Sequence, residues 1–166
     1  MLQKILQKLV YEELHANLIY NSIGMIFKTC GLKTAAEESF KIAEEELEHV
    51  EELSEMAKSL NIGLEYVIVD ARLISTETFQ NSDQALQFLK ALELEAVQSY
   101  EDATDQAIMI YPELKQLPKL FKHILEEEKE HFKKFEWILE NCKTGIISTP
   151  IRKNTNPLAQ VIANKL

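Results

Sequence analysis

The chain has 166 residues, enough for one domain with a real core, and 46% of them are apolar against 27% charged. Only 4 Gly and 4 Pro punctuate a sequence rich in Leu, Ala, Glu and Lys, which predicts long helices rather than many short strands. A formal charge of -9 argues against a nucleic-acid surface, which needs clustered Lys and Arg, and suits cations or plain solubility.

Four helical segments follow in chain order. The first runs from about Leu2 to Lys28 and stops at "CGLKT", with Gly31 as its C-terminal signal. It is amphipathic and broken by charges, so it reads as neither a secretory leader nor a membrane span. Thr34, with Glu37 three residues on, has the capping-box pattern and starts the second helix, which reaches about Leu60 and ends at "NIG" before Gly63. Residues 62 to 81 have no helical period and many β-branched residues; they are expected to cross over along the bundle. Ser82 or Asp83 caps the third helix, to about Ile110. The fourth starts between Pro112 and Pro118 and continues to about Cys142. In the tail, Asn156 as cap and Pro157 at the first helical position predict a short terminal helix. The fold expected is all-α: two helical hairpins joined by a long crossover, with a bundle over 1–143 and a tail over 144–166. Two scattered thiols, Cys30 and Cys142, make no CxxC motif or disulfide framework and fit a reducing cytoplasm. Cys142 ends a core stripe and is expected to be buried.

A three-four repeat along each helix traces the face turned to its neighbours. It gives Leu6, Leu9, Glu13, Ala16, Tyr20, Ile23 and Phe27 on the first helix. On the second it gives Ile42, Glu46, His49, Leu53, Met56 and Leu60. The third supplies Leu86, Leu89, Glu93, Ala96, Tyr100, Ala103, Ala107 and Ile110, and the fourth Leu117, Phe121, Ile124, Glu128, His131, Phe135, Ile138 and Cys142. Every seam is apolar or aromatic except at Glu13, Glu46, His49, Glu93, Glu128 and His131.

These six fall near the middle of their helices, so antiparallel packing brings them to one layer. Four unpaired carboxylates there would repel one another at a cost of at least several kcal/mol. No seam Lys or Arg neutralises them. Two divalent cations would, balancing four carboxylates and two neutral imidazoles. Residues i and i+3 share a helix face, so each Glu-x-x-His can grip one metal. The mixed oxygen and nitrogen set suits iron or manganese better than structural zinc. The two hairpins repeat the pattern: each lone Glu is followed two turns later by a seam tyrosine, Tyr20 or Tyr100.

The stretches "EELHANLIY", "EEELEH", "ALELEAVQSY" and "ILEEEKEH" resemble the ferritin-like superfamily, bacterioferritin and rubrerythrin-type domains in particular, over residues 1 to about 142. The resemblance implies a di-iron centre in a four-helix bundle, with Glu13 and Glu93 as terminal ligands, Glu46 and Glu128 bridging, and His49 and His131 each on one metal. It implies Fe²⁺ oxidation by O₂ or H₂O₂, a ferroxidase activity with or without iron storage, in a homo-oligomer that is a dimer or a cage. Manganese could replace iron. Alternatives are a rubrerythrin-like peroxide reductase without its rubredoxin domain, served by an electron-donor protein, substrate hydroxylation on the same scaffold, or a non-catalytic helical interaction module. Leu47 stands where bacterioferritins carry the haem-ligating Met, so haem is not expected by that route; Ala96 stands where rubrerythrins carry an extra Glu. No nucleic-acid or membrane partner is expected. Glu45, Glu127 and Glu130 are expected to be solvated acids, His15 and His123 surface residues, and Trp137 core or interface.

Overall fold

A computed structural model describes residues 1–65, 79 and 81–142. Among them are four helices: α1 (Leu2–Thr29), α2 (Lys33–Ser59), α3 (Ser82–Ile110) and α4 (Gln116–Cys142). No described helix is long and apolar enough to cross a membrane. The middle of the expected crossover, the tail with its expected terminal helix, and the Cys142 side chain lie outside the described residues.

The ends of the helices show which local signals prevail. Gly31 takes φ +77, the left-handed conformation that glycine adopts without steric cost. This lets Leu32 N–H donate to Phe27 O at 2.9 Å and Gly31 N–H to Lys28 O at 3.2 Å, which closes α1 in a Schellman turn. The turn runs straight into α2. Leu32 is both the last residue of that turn and the N-cap of α2, so the expected Thr34 capping box does not form. Burial of the Leu32 side chain, 6% exposed, replaces a polar cap. At the other end of α2 the left-handed residue is Asn61 (φ 53) and not Gly63: Ile62 N–H reaches Ala57 O at 2.9 Å. Asn is the usual substitute for Gly in this position. The cap of α3 is Asn81, one residue before the expected Ser82, and its side chain accepts from Gln84 N–H at 2.9 Å.

The short turns fold α1 back on α2 and α3 back on α4, and these hairpins are the main packing pairs. Gly24 lets α1 and α2 approach closely, since a Cβ there would lie 2.8 Å from the Phe40 ring. Across the hairpins α1 runs antiparallel to α3 and α2 to α4. The end of α2 and the start of α3 therefore stand at opposite ends of the bundle, and the connection must travel its length. Its first residues do set off along α1: Gln3 Nε2 donates to Gly63 O at 2.7 Å, and Glu65 N–H to Gln7 Oε1 at 2.7 Å. Near its other end Phe79 is buried, with its ring 5.4 Å from that of Phe88.

The core falls into two apolar halves. One holds Ile19, Ile23, Phe27, Ile42, Leu86, Leu89 and Phe135. The other holds Leu6, Leu9, Leu53, Leu117, Phe121 and Ile124. Each such side chain contributes ~1.5–3 kcal/mol by leaving water. Between the halves lies the polar layer. Most seam positions are buried as expected, but Ile110 is the last residue of α3 and is exposed.

Candidate metal centre

Glu13, Glu46, His49, Glu93, Glu128 and His131 are all buried, none more than 3% exposed. Each comes from the middle of a helix, so the positions of their backbones are set by the apolar packing above and below. Glu46 and His49 share a face of α2, Glu128 and His131 a face of α4, and Glu13 and Glu93 face them from α1 and α3.

Two overlapping groups result: Glu13, Glu46, His49 and Glu128, and Glu46, Glu93, Glu128 and His131. Within each, one donor atom per residue lies within 4.8 Å of all the others. The shared pair is arranged to serve both groups. Glu46 turns Oε2 toward His49 Nδ1 (3.2 Å) and Oε1 toward His131 Nδ1 (3.7 Å). Glu128 likewise presents Oε1 to His49 Nδ1 (3.2 Å) and Oε2 to His131 Nδ1 (3.6 Å). Glu13 lies 3.6 Å from His49 Nδ1, and Glu93 lies 3.5 Å from His131 Nδ1. A cation with bonds of about 2.1 Å holds adjacent donors about 3.0–3.4 Å apart, close to these separations. Oε1 of Glu46, Oε2 of Glu93, Oε1 of Glu128 and Nδ1 of His131 have no hydrogen-bond partner. Buried polar atoms are rarely left so, and a pair of cations would satisfy them.

The outer contacts cross from one hairpin to the other. His49 Nε2–H donates to Glu127 Oε2 at 3.0 Å, and His131 Nε2–H to Glu45 Oε2 at 3.0 Å. A carboxylate can only accept, so the proton is on Nε2 and the Nδ1 lone pair is free for a metal once its own proton leaves. Tyr20 O–H donates to Glu93 and Tyr100 O–H to Glu13. Each hairpin thus orients the other's lone carboxylate and imidazole.

Without metal, protons neutralise the layer. Burial would lower the His131 pKa, but the facing carboxylates of Glu128, Glu45 and Glu93 outweigh it and push it up to about 12. His49 is raised in the same way by Glu128, Glu13 and Glu46. Burial, reinforced by the charges of Glu128 and Glu13, holds the Glu46 carboxyl well above the usual range, and burial does the same for Glu93. For Glu128 burial is overcome by the adjacent imidazoles of His131 and His49, which hold it at about 2.

Residues 3–145 match the ferritin-like domain family. The chain belongs to that family. No curated protein matches it in sequence. A ferritin-like bundle with a buried Glu/His cluster fits a metal-binding protein, and the donor set found here fits two ions that share Glu46 and Glu128.

Several side chains depart from expectation. Glu45 and Glu127 are only partly solvated, because each is the hydrogen-bond partner of a histidine on the facing helix. A signal for this lay in the sequence, since each directly precedes a seam Glu, but the pairing is between helices and periodicity along one helix does not reveal it. His15 is half-buried and stacks on Tyr11 instead of facing water. Trp137 is 59% exposed and is not part of the core. His123 is exposed, as expected, 3.7 Å from both Glu52 and Glu127.

Proposed function

We propose that the protein is a ferroxidase that takes up two Fe²⁺ ions as substrate and passes their electrons to O₂ or H₂O₂. The observation that supports this most is the placing of Glu46 and Glu128, each with one oxygen toward each imidazole. In this reading Glu13 and His49 hold one ion, Glu93 and His131 the other, and Glu46 and Glu128 span both. Two bound Fe²⁺ supply two electrons, which with two protons reduce O₂ to H₂O₂ or H₂O₂ to water.

The residues of the chain prepare that chemistry. Glu127 and Glu45 fix the histidine tautomers, and the tyrosine hydroxyls of Tyr20 and Tyr100 hold Glu93 and Glu13 in place. The apolar halves above and below limit water, which strengthens the electrostatics at the layer. Iron and manganese both suit the donor set; the redox role favours iron. Storage requires a closed cage of copies, whereas a peroxide reductase could work as a dimer with a donor protein.

Stopped-flow oxidation of two equivalents of Fe²⁺ by air tests the proposal, with native mass to separate cage from dimer. Glu46→Ala should abolish rapid oxidation with the helical circular dichroism intact. Unimpaired oxidation in that variant would remove Glu46 from the site.

A further inference from the structure

The two hairpins repeat one another through the centre and then part. An offset of 82 residues carries Glu45, Glu46 and His49 of α2 onto Glu127, Glu128 and His131 of α4. Within this set the repeat is close: each imidazole donates from Nε2 to the outer glutamate of the facing helix at 3.0 Å. The same offset carries Lys41 onto His123 and Glu52 onto Lys134, and there the charges no longer match.

Glu45 meets two ammonium groups. Lys41, one turn before it on α2, places Nζ 2.9 Å from Oε1, and Lys134 of α4 places Nζ 3.7 Å from Oε2. On the Glu127 side His123, one turn earlier on α4, stands 3.7 Å from Oε2 and 3.7 Å from Oε1 of Glu52. Among the described residues no Lys or Arg pairs with Glu127. Oε2 of Glu52 is buried without a hydrogen-bond partner. Lys41 and Lys134 bring two positive charges, whereas His123 with Glu52 brings none when the imidazole is protonated and a negative one when it is neutral. In either state the surroundings of Glu45 are the more positive by at least two charges.

An outer carboxylate helps a metal by drawing on the imidazole N–H, which enriches the opposite ring nitrogen. Lysines that neutralise the carboxylate weaken that pull, and their charge also repels a cation directly. We infer that the two ion positions of the centre are unequal: the one at His49 fills first and empties last, and Lys41 and Lys134 loosen the one at His131. This rests on the metal-centre reading and adds an order of filling set by residues outside the donor set. Over the width of a carboxylate and an imidazole, a unit charge shifts affinity for a divalent ion about fourfold at a water-like dielectric, so two lysines together are worth about tenfold. The firm ion keeps Glu46 and Glu128 in place for the second.

Co²⁺ titration of the metal-free full chain, followed by its visible absorption, reads the two affinities without any oxidation step. Neighbouring cations repel, which separates the steps even where the two positions are alike, so variants decide. Lys41→Gln combined with Lys134→Gln should tighten the weaker step about tenfold and leave the tighter one almost unmoved. Glu52→Lys puts at a part-exposed position the residue found at the matching place on α4, and it should loosen the tighter step by a similar factor. Lys134→Arg keeps the charge and should titrate as wild type. Crystals given limiting Mn²⁺ should show the stronger anomalous peak beside His49 Nδ1, and peaks closer to equal in the double variant. A weaker step that stays put in the double variant, or two steps that move together, overturns the inference, as does a stronger wild-type peak beside His131. A wild-type chain that binds no Co²⁺ overturns the metal centre itself, a separate failure.

Discussion

Replacing Glu46 by glutamine separates the cost of a buried carboxylate from its use. Glu46 is 1% exposed, its Oε1 has no hydrogen-bond partner, and burial with the charges of Glu128 and Glu13 disfavours its ionised form. Glutamine keeps the volume and cannot ionise. His49 still has Glu128 at 3.2 Å and Glu13 at 3.6 Å as counter-ions. Relieving a poorly satisfied buried group is worth about 1–3 kcal/mol. At about 2–4 °C per kcal/mol for a chain of this size, metal-free Glu46→Gln should melt about 2–12 °C above wild type. With metal the order reverses. Wild type gains about 2.7 kcal/mol per site at a hundredfold excess over Kd, so two sites raise Tm by about 10–20 °C. The variant loses a donor to both sites and should gain little. Thermal melts at 222 nm in EDTA and in Mn²⁺ measure both effects. A variant that melts lower than wild type in EDTA, yet gains the full shift in Mn²⁺, would refute the reasoning.

Tyr20→Phe should weaken the ion held by Glu93 and His131, and Tyr100→Phe the ion held by Glu13 and His49, each about 10- to 100-fold. Sequential Co²⁺ titrations would resolve the two, and equal effects on both sites would count against the crossed pairing. Glu127→Gln should lower affinity at the His49 site by a similar factor, with Fe²⁺ oxidation slowed to match; unchanged affinity would reduce Glu127 to a surface acid. Metal needs the Nδ1 lone pairs of His49 and His131, whose pKa values lie above the ordinary range without metal. The carboxyls of Glu46 and Glu93 are raised as well, so binding at neutral pH should release about two protons per ion, and affinity should fall as pH falls. An indicator dye that records no release would contradict this. The hydrogen bond from His131 holds the Glu45 carboxyl at about 2, below its model-compound value of 4.5. A depressed carboxyl stabilises the fold above the higher of these values, and that stability is lost as pH falls toward the lower. Glu45→Gln should flatten acid unfolding of the metal-free protein across that window; an unchanged acid limb would show that the contact carries no stability.

The helices and the polar layer were legible because one physical rule, a seam that must be apolar, exposes every exception to it. Glu13 and Glu93 stand out for that reason, and the Glu-x-x-His pairs stand out twice over. Relations between helices were much less legible. That Glu127 meets His49 and Tyr20 meets Glu93 depends on which helix faces which, and no periodicity along one chain segment contains it. The caps misled where tertiary burial overrode local preference. Thr34 has a capping pattern, but the Schellman turn at Gly31 delivers Leu32 to the N-cap and starts the helix too early for it. Asn61 took the left-handed position ahead of Gly63 because the helix ends where Ile62 can reach back to Ala57. Trp137, expected in the core or at an interface, is exposed on α4, which excludes the core.

Anomalous diffraction from crystals grown with Mn²⁺ tests the central claim most directly. The account predicts two peaks about 3.5–4 Å apart, one beside His49 Nδ1 and one beside His131 Nδ1, with Glu46 and Glu128 in contact with both. A layer without metal, or a single ion bound outside those six side chains, would contradict it.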